Sequence, residues 1–582
     1  MKINRNILWS ENFFNRLADL GVRFACISPG SRSTALTLSA ASNKKFKCFV
    51  NIDERSSAFF ALGLAKASRT PVIIITTSGT AVAEIYPAVI EAFQQRIPLI
   101  VCTADRPQEL IGRGANQTIN QNNIYANHII FFKDAGLPSA TISGLSKIRR
   151  LAERSFIYSQ QGPVHINFPF RKPFEPDSYT DEINNKDLKI FETYKLRETI
   201  PLVKDKSHNT NLLNEILNYM KKSKRGLIIA GPMQYEANEK QGLIKLSEHL
   251  NFPILADASS QLRFGSGSKK NLLINYEGFL KNKLFVEKYF PDLILQFGST
   301  PSSKAIESYL FTHSSKRYII NKYGDIFDPW NSASGILKCA PSLFCKLVLE
   351  RVSPLEKNQE NVLFRADNLS NKIKEKVLKD SLFPNECRLI SEIIKSLPDD
   401  IQLIISNSMP VRDFDYFAPL TDKNIYVHTN RGASGIDGII STSLGIQKGL
   451  QKPTLLITGD LAFLYDLNSL AAADKYKIPL VVVLINNNGG GIFSMLPVSR
   501  YGKKFSEYFT SPHYLNFNSI TKSFRGNYKL IRSWDDLRIS VRNALSKKTF
   551  SVLEIKTKIK ISVNIRRKYF TEANRIIGKN IL

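Results

Sequence analysis

The sequence predicts an α/β protein of three tandem doubly wound parallel-sheet domains, and three observations predict it. Short apolar runs alternate with amphipathic helical patterns in three separate stretches, the rhythm of strand–helix–strand units with helices on both faces of a sheet. The 582 residues are too many for one core and suggest about three to four domains of usual size. In the last stretch, Thr454-Leu455-Leu456-Ile457-Thr458 ends in Gly459-Asp460. A second run, Ile478 to Ile485, ends twenty-five residues after Asp460 and leads into Asn486-Asn487-Asn488-Gly489-Gly490-Gly491. Two parallel strands joined by a helix over Ala462–Ala473 bring an aspartate and an asparagine to one carboxyl edge, where open α/β sheets hold their ligands.

The elements follow in order. Phe24–Ser28, Phe46–Asn51, Val72–Thr76 and Leu99–Thr103 read as strands, with helices over Ser33–Ala41, Arg55–Ala67 and Ala81–Gln94 between them. These fall in a first domain, 1–180. Arg171–Lys206 is polar, charged and proline-containing, and reads as a linker. A central domain, 207–352, has strands near Gly226–Ala230, Pro253–Ala256, Leu293–Phe297 and Tyr318–Asn321. Charged helical sequence over Leu355–Lys379 leads to the third domain, 383–557. The remaining 558–582 is a basic tail, read as a solvated terminus or an interaction arm.

Composition narrows the classes. Hydrophobic residues make up 43% of the chain, so a packed globular protein is expected. No run of about 18 uncharged apolar residues appears, which argues against a membrane span. The basic start is not followed by an apolar signal core. Six cysteines (26, 48, 102, 339, 345 and 387) form no Cys-x-x-Cys pair, as expected of a reduced cytoplasmic protein. The net charge of +29 would suit a nucleic-acid binder. The lysines are spread along the chain, however, and no zinc-ligand or aromatic RNA-binding pattern accompanies them, so no nucleic-acid partner is expected.

Asp460, Asn487 and Gly489 offer a carboxylate, an amide oxygen and a loop carbonyl. This hard-oxygen set suits Mg²⁺ already carrying phosphate oxygens. The pattern resembles the diphosphate-anchoring motif of thiamine diphosphate enzymes, Gly-Asp-Gly followed by Asn-Asn, with Leu461 in place of the second glycine. In the first domain Asp53 is a candidate N-cap, which puts Glu54 in the first helical turn. That position suits an ordinary capping acid as well as a functional one.

Around these lie Ser28-Pro29-Gly30-Ser31-Arg32-Ser33, Thr76-Thr77-Ser78-Gly79-Thr80, Thr103-Ala104-Asp105-Arg106-Pro107 and Gly114-Ala115-Asn116-Gln117-Thr118. The third domain adds Ser406-Asn407-Ser408-Met409-Pro410-Val411-Arg412 and Asn430-Arg431-Gly432-Ala433-Ser434-Gly435-Ile436-Asp437-Gly438. Together these strings resemble one family, the 2-succinyl-5-enolpyruvyl-6-hydroxy-3-cyclohexene-1-carboxylate synthases of menaquinone and phylloquinone synthesis. The resemblance is dense over about 20–130 and 400–500 and thin through the central domain.

The resemblance implies decarboxylation of 2-oxoglutarate with thiamine diphosphate and addition of the resulting carbanion to isochorismate. It implies Glu54 as the catalytic partner of the cofactor's aminopyrimidine ring. Ser408, Gly459, Asp460, Leu461, Asn487, Gly489, Ile492 and Phe493 would bind cofactor, with Mg²⁺ or Mn²⁺ on Asp460, Asn487 and Gly489. Ile436 reads equally as a wedge under the bent cofactor or as a core-facing residue. Both substrates are dianions, so cations must converge: Arg32 and Arg106 are expected on isochorismate, Arg412 and Arg431 on 2-oxoglutarate. Lys304 joins them, followed by Ala305 where some members have arginine. Ser31, Asn116, Gln117 and Leu496 complete the expected substrate contacts. None of the seven histidines falls inside these strings, so Glu54, the cofactor amine and water are left the acid–base work. The family implies a homodimer or a dimer of dimers. An alternative within the same enzymes is another 2-oxoacid decarboxylase or an acetolactate synthase-like protein, which would share Glu54, Asp460 and Asn487 but lack the arginine set.

Overall fold

In the computed structural model, the structure describes residues 2–183, 209–233, 237–312, 315–356 and 362–581. Three six-stranded sheets, all parallel, organise it. The first runs, across its width, Lys47–Val50, Phe24–Ile27, Val72–Thr76, Leu99–Asp105, Val164–Pro169, Phe131–Asp134. The third repeats that order with Ile425–His428, Ile401–Ile405, Thr454–Gly459, Val481–Asn486, Ser551–Lys556 and Asn527–Leu530. The central sheet differs: Leu272–Leu273, Ile254–Ala256, Gly226–Ala230, Leu293–Phe297, Lys316–Asn321, Gly335–Lys338. Strands such as Val-Ile-Ile-Ile-Thr at 72–76 and Val-Val-Val-Leu-Ile-Asn at 481–486 are buried at every residue. That explains their continuous apolar runs, since helices cover both faces.

Several expectations are corrected. The helix expected over Ala462–Ala473 is Asp460–Tyr465, a single 3₁₀ turn at Leu467–Ser469, and Leu470–Lys475. The break falls at Asp466, whose buried carboxylate accepts the Ser441 amide at 2.7 Å and the Ser441 hydroxyl at 2.8 Å. Ala81–Gln94 likewise divides into Thr80–Glu84 and Tyr86–Gln94, with Pro87 in the second helix's first turn. The linker reading falls mostly on 184–208, outside the described residues. Its described start ends in Asp181–Glu182, which pairs antiparallel with Lys2–Ile3. The tail is not a solvated arm: helix Ile559–Asn580 buries Val563, Arg566, Tyr569, Ala573 and Ile577, with Tyr569 and Ala573 in the third domain's core and Ile577 in a core cluster of the central domain. Among the described residues no helix is long and apolar enough to cross a membrane.

The first and third sheets share one core through helices Glu54–Ser68 and Ile439–Leu450. The helices cross at Gly63 and Gly445. A Cβ on Gly63 would lie 2.1 Å from the Thr442 carbonyl oxygen, and one on Gly445 would lie 2.2 Å from that of Phe60. Only backbone against backbone fits there, so any side chain forces the two domains apart.

Candidate active site

In the third sheet, Ile401–Ile405 and Thr454–Gly459 are neighbours whose onward connections lead to opposite sides. Such a switch point opens a crevice at the carboxyl edge. Ser408 and Asp460 stand on its two sides. Ser408 has φ 72° and precedes helix Met409–Phe417, whose first turn has no side-chain cap. A non-glycine residue in this left-handed conformation costs about 1 kcal/mol or more, and the Met409 and Val411 amides of the first turn, Pro410 having none, are left to meet an anion.

Asp460, only 2% exposed, opens helix Asp460–Tyr465 directly after the strand. Its carboxylate accepts the Gly489 amide at 3.0 Å and the Leu461 amide at 2.8 Å. Burial raises its pKa above the usual carboxylate range, and these amides oppose the rise. Leu461 fits where a glycine was expected because its backbone amide serves Asp460 while its side chain is half-buried. Gly489 has φ 135°, and a Cβ there would lie 2.0 Å from the Thr510 carbonyl oxygen, so glycine is required. Its own carbonyl accepts the Gly491 amide at 2.9 Å and keeps a second lone pair. Asn487 donates through Nδ2 to Glu386 Oε1 at 3.0 Å, while its Oδ1 is buried without a partner.

His513, outside every motif string, completes this edge. Its Nε2 lies 3.2 Å from Asp460 Oδ2, and its Nδ1 accepts the Leu515 amide at 3.1 Å. The ring thus bridges the Leu515 amide and the Asp460 carboxylate edge. Asn488 Oδ1 holds the loop by accepting the His513 and Tyr514 amides at 3.2 and 2.9 Å. No spacing signal marks this histidine, because irregular turns separate it from the glycine loop.

Ile492 and Phe493 lie half-buried in the 3₁₀ turn Gly491–Met495, Leu496 is 41% exposed, and Ile436 packs partly against the shared core. Arg412 donates to the Ser408 carbonyl at 2.6 Å and Arg431 to Asn407 Oδ1 at 3.4 Å. Burial lowers the Arg431 pKa, with Asp257 opposing and Arg412 adding to it, and the two arginines are held on adjacent residues, Asn407 and Ser408. The Ser302 amide donates to Asp257 Oδ2 at 2.8 Å, which brings the loop before exposed Lys304 to the same region. Glu91, from the first domain, also supports this edge: its carboxylate accepts the Gly432 and Ala433 amides at 2.9 and 2.7 Å. A cavity of about 220 Å³ lies beneath that loop.

The first sheet builds a second edge. Arg32 donates to the Phe170 carbonyl at 2.7 Å and lies 4.6 Å from the Phe174 ring centre. Burial first, then Arg106, bring its pKa down to about 10. Arg106 bonds the Ser78 hydroxyl, and Gln117 donates to the Ser78 carbonyl at 3.0 Å. Ser31 and Asn116 are exposed beside them. Among the described residues none of Arg32, Arg106, Arg412 and Arg431 pairs with a carboxylate; each meets only neutral oxygens. Glu54 begins its helix, with Asp53 capping the Ser56 amide at 2.9 Å. Burial raises the Glu54 pKa, and the neighbouring Asp53 and Glu84 charges push the same way.

Within one chain, helix Glu54–Ser68 links the two domains along its whole length. The start of helix Glu54–Ser68 meets the far end of the Asp460 helix, through Ser56 Oγ at 3.3 Å from Asp466 Oδ1. Its other end, at Lys66, donates to the Thr429 carbonyl at 2.7 Å and Asn430 Oδ1 at 3.0 Å, beside Arg431. Glu54 is therefore roughly 18 Å along the helix from the Lys66 contact with Asn430, at 1.5 Å per residue, while the far end of the same loop, at Gly438, packs against Phe59.

Three family domains match in order: "Thiamine pyrophosphate enzyme, N-terminal TPP binding domain" over 9–124, "Middle domain of thiamine pyrophosphate" over 195–405, and "Thiamine pyrophosphate enzyme, C-terminal TPP binding domain" over 415–555. Curated relatives named 2-succinyl-5-enolpyruvyl-6-hydroxy-3-cyclohexene-1-carboxylate synthase align along nearly the whole chain. That of Bacillus velezensis is 37% identical, covering 98% of both chains. That of Geobacillus kaustophilus is 37% identical, covering 97% of both. That of Haloquadratum walsbyi is 36% identical, covering 91% of this chain and 92% of its own. The solved benzoylformate decarboxylase of Polynucleobacter necessarius superposes with a TM-score of 0.67 at 17% identity, over 96% of this chain and 99% of its own. That likeness concerns the fold alone.

Proposed function

Because the chain belongs to the 2-succinyl-5-enolpyruvyl-6-hydroxy-3-cyclohexene-1-carboxylate synthase family of thiamine pyrophosphate enzymes, we propose that its two sheet edges divide one reaction. The reaction is thiamine diphosphate-dependent decarboxylation of 2-oxoglutarate and addition of the remaining unit to isochorismate, in menaquinone biosynthesis. We assign 1–180 to the pyrimidine side, 207–352 to the centre and 383–557 to the diphosphate side, with helix Ile559–Asn580 docked against both the last and the centre.

The observation that carries the site assignment is the Asn487 amide. Its nitrogen is committed to Glu386 and its buried oxygen is unpartnered, on the same edge as Asp460 and Gly489. Mg²⁺ or Mn²⁺ carrying diphosphate oxygens would satisfy all three oxygens. The free amides after Ser408 suit the diphosphate itself. Gly459 and Leu461 border Asp460 and would meet the diphosphate, Ile436 would contact the cofactor from the Arg431 loop, and Ile492, Phe493 and Leu496 would help exclude water. When bound, thiamine diphosphate supplies the carbon nucleophile that takes up the 2-oxoacid.

Glu54 holds the proton exchanged with the aminopyrimidine ring. A half-buried carboxyl with a raised pKa suits that task. Arg412 and Arg431 receive the carboxylates of 2-oxoglutarate, and Arg32 and Arg106 those of isochorismate. Lys304 adds a cation at the central domain's edge. Ser31, Asn116 and Gln117 offer neutral hydrogen bonds. Planar guanidiniums without acidic partners are built for two-point carboxylate contact.

As the family implies, a complete site draws one edge from each of two subunits, with Glu54 on the first domain and Asp460 on the third. The enzyme is therefore a homodimer, or a pair of such dimers. Ile52, 85% exposed beside Glu54, and Tyr501, Tyr508 and Tyr514, 70 to 83% exposed after the glycine loop, suit such an interface. Six free cysteines are consistent with the reducing cytoplasm we propose for it. The test is product analysis by mass spectrometry with thiamine diphosphate, Mg²⁺, 2-oxoglutarate and isochorismate. The expected outcome is the succinyl adduct with release of CO₂. Comparable turnover when pyruvate replaces 2-oxoglutarate would sink the assignment.

A further inference from the structure

A buried chain of charges leads from the C-terminal helix to the Asn487 amide. Arg566 is 1% exposed. It donates through Nε to Asp413 Oδ1 at 2.7 Å and through Nη2 to Asp413 Oδ2, and Nη2 also reaches Glu386 Oε2 at 2.5 Å. The other Glu386 oxygen accepts from the Thr557 hydroxyl at 3.1 Å and from Asn487 Nδ2 at 3.0 Å. A carboxylate only accepts and a guanidinium only donates, so the direction of each of these bonds is fixed.

The two ends of an asparagine amide have nearly the same shape, and only their partners decide which way each points. Glu386 leaves Asn487 no choice: the nitrogen turns inward and Oδ1 turns outward. We propose that Glu386, locked by Arg566, is a positioning residue that presents the Asn487 oxygen, rather than its nitrogen, to a divalent cation. The inference rests on the cofactor reading above, and it adds a requirement that reading does not contain.

Glu386→Gln keeps the volume and removes the certainty. Arg566 claims the single amide oxygen of the new side chain, whose NH₂ then faces Asn487. Two donors cannot share that bond, so Asn487 turns over and shows the cation its nitrogen, which has no lone pair to give. Adding Asn487→Asp to the same chain reverses this. One carboxylate oxygen accepts from the glutamine and the other faces the cation. A purely structural role for Glu386 predicts no such rescue.

Thiamine diphosphate binding to the full chain, followed by calorimetry while Mg²⁺ is varied, tests this, with the thermal midpoint of each protein recorded without cofactor. The expected result is that Glu386→Gln needs about 10 to 100 times more Mg²⁺, the usual penalty for a lost supporting residue, with little change in midpoint. The double variant returns to within about tenfold of the parent by the same scale. A Glu386→Gln protein with the parent's Mg²⁺ dependence, or a double variant no better than Glu386→Gln, overturns the proposal. If Glu386→Gln does not fold, the double variant decides alone: metal-dependent binding supports the assignment and its failure overturns it. A parent that binds no thiamine diphosphate instead overturns the cofactor reading, and this inference with it.

Discussion

Glu54 is a carboxyl in the first turn of a helix, where the amide ends favour its anion, yet burial and two acidic neighbours favour its neutral form. The balance leaves it able to hold a proton closer to neutral pH. Glu54→Gln is expected to bind thiamine diphosphate normally while exchange of the cofactor's C2 proton, read by NMR, slows by orders of magnitude. Exchange at the parent rate would remove Glu54 from this role. The arginines separate by substrate. Losing one two-point contact leaves a carboxylate unpaired and should cost about 2 to 4 kcal/mol. Arg412→Ala and Arg431→Ala should therefore slow decarboxylation of 2-oxoglutarate measured without isochorismate, and Arg32→Ala and Arg106→Ala should not. Normal decarboxylation in the first pair refutes the division. At this scale the sequence exposed residues that follow strand ends inside compact strings, such as Arg32, Arg106 and Asp460. It concealed His513, Glu91 and Glu386, because each reaches its partner from a distant segment with no periodicity or spacing to mark it.

Three helix ends meet at Asp466, through Ser56, Ser441 and the break after Tyr465. Burial pushes the Asp466 pKa up to about 6, against the three hydrogen bonds that favour its anion. Its folded value lies above its unfolded one. The stability it contributes is thus full below about pH 4 and is lost as pH rises through about 6, roughly 3 kcal/mol in all. Denaturant unfolding of the parent and of Asp466→Asn should converge in the parent's disfavour over that range. A difference between the two that stays constant from pH 4 to 7 contradicts a buried titrating carboxyl. The same residue shows where sequence reading of elements ends. Val72–Thr76, Gly226–Ala230 and Leu293–Phe297 were readable to the residue, because burial on both faces writes an unbroken apolar run. Phe131–Asp134 and Gly335–Lys338 are half-exposed edge strands carrying polar residues, and Leu272–Leu273 is too short to form a pattern. The break at Asp466 is dictated by Ser441, twenty-five residues away, which no local window contains.

For the whole molecule, a site shared between two subunits means that defects in different domains can be separated between chains. Glu54→Gln and Asp460→Ala are each expected to be inactive, the latter through loss of Mg²⁺-dependent cofactor binding. Mixed after subunit exchange, they should recover part of the parent activity, because each mixed dimer holds one site with both defects and one with neither. Exchange confirmed by mass spectrometry with no recovered activity would rule out sites shared between chains. The three-sheet plan was readable from alternation alone, whereas the docking of helix Ile559–Asn580 was not, since its surface lysines and arginines mask the one arginine that is buried. That arginine has a consequence for biosynthesis. Glu386, Asp413 and Asn487 all precede Arg566 in chain order, so a ribosome extrudes two acids destined for burial before the cation that neutralises them. Until codon 566 has been translated and its helix has docked, closing the third domain would strand both charges in the interior, at a cost of several kcal/mol each. Closure of the third domain is therefore expected to wait for helix Ile559–Asn580, and a message truncated upstream of that codon is expected to yield a chain that limited proteolysis digests rather than an empty but folded enzyme.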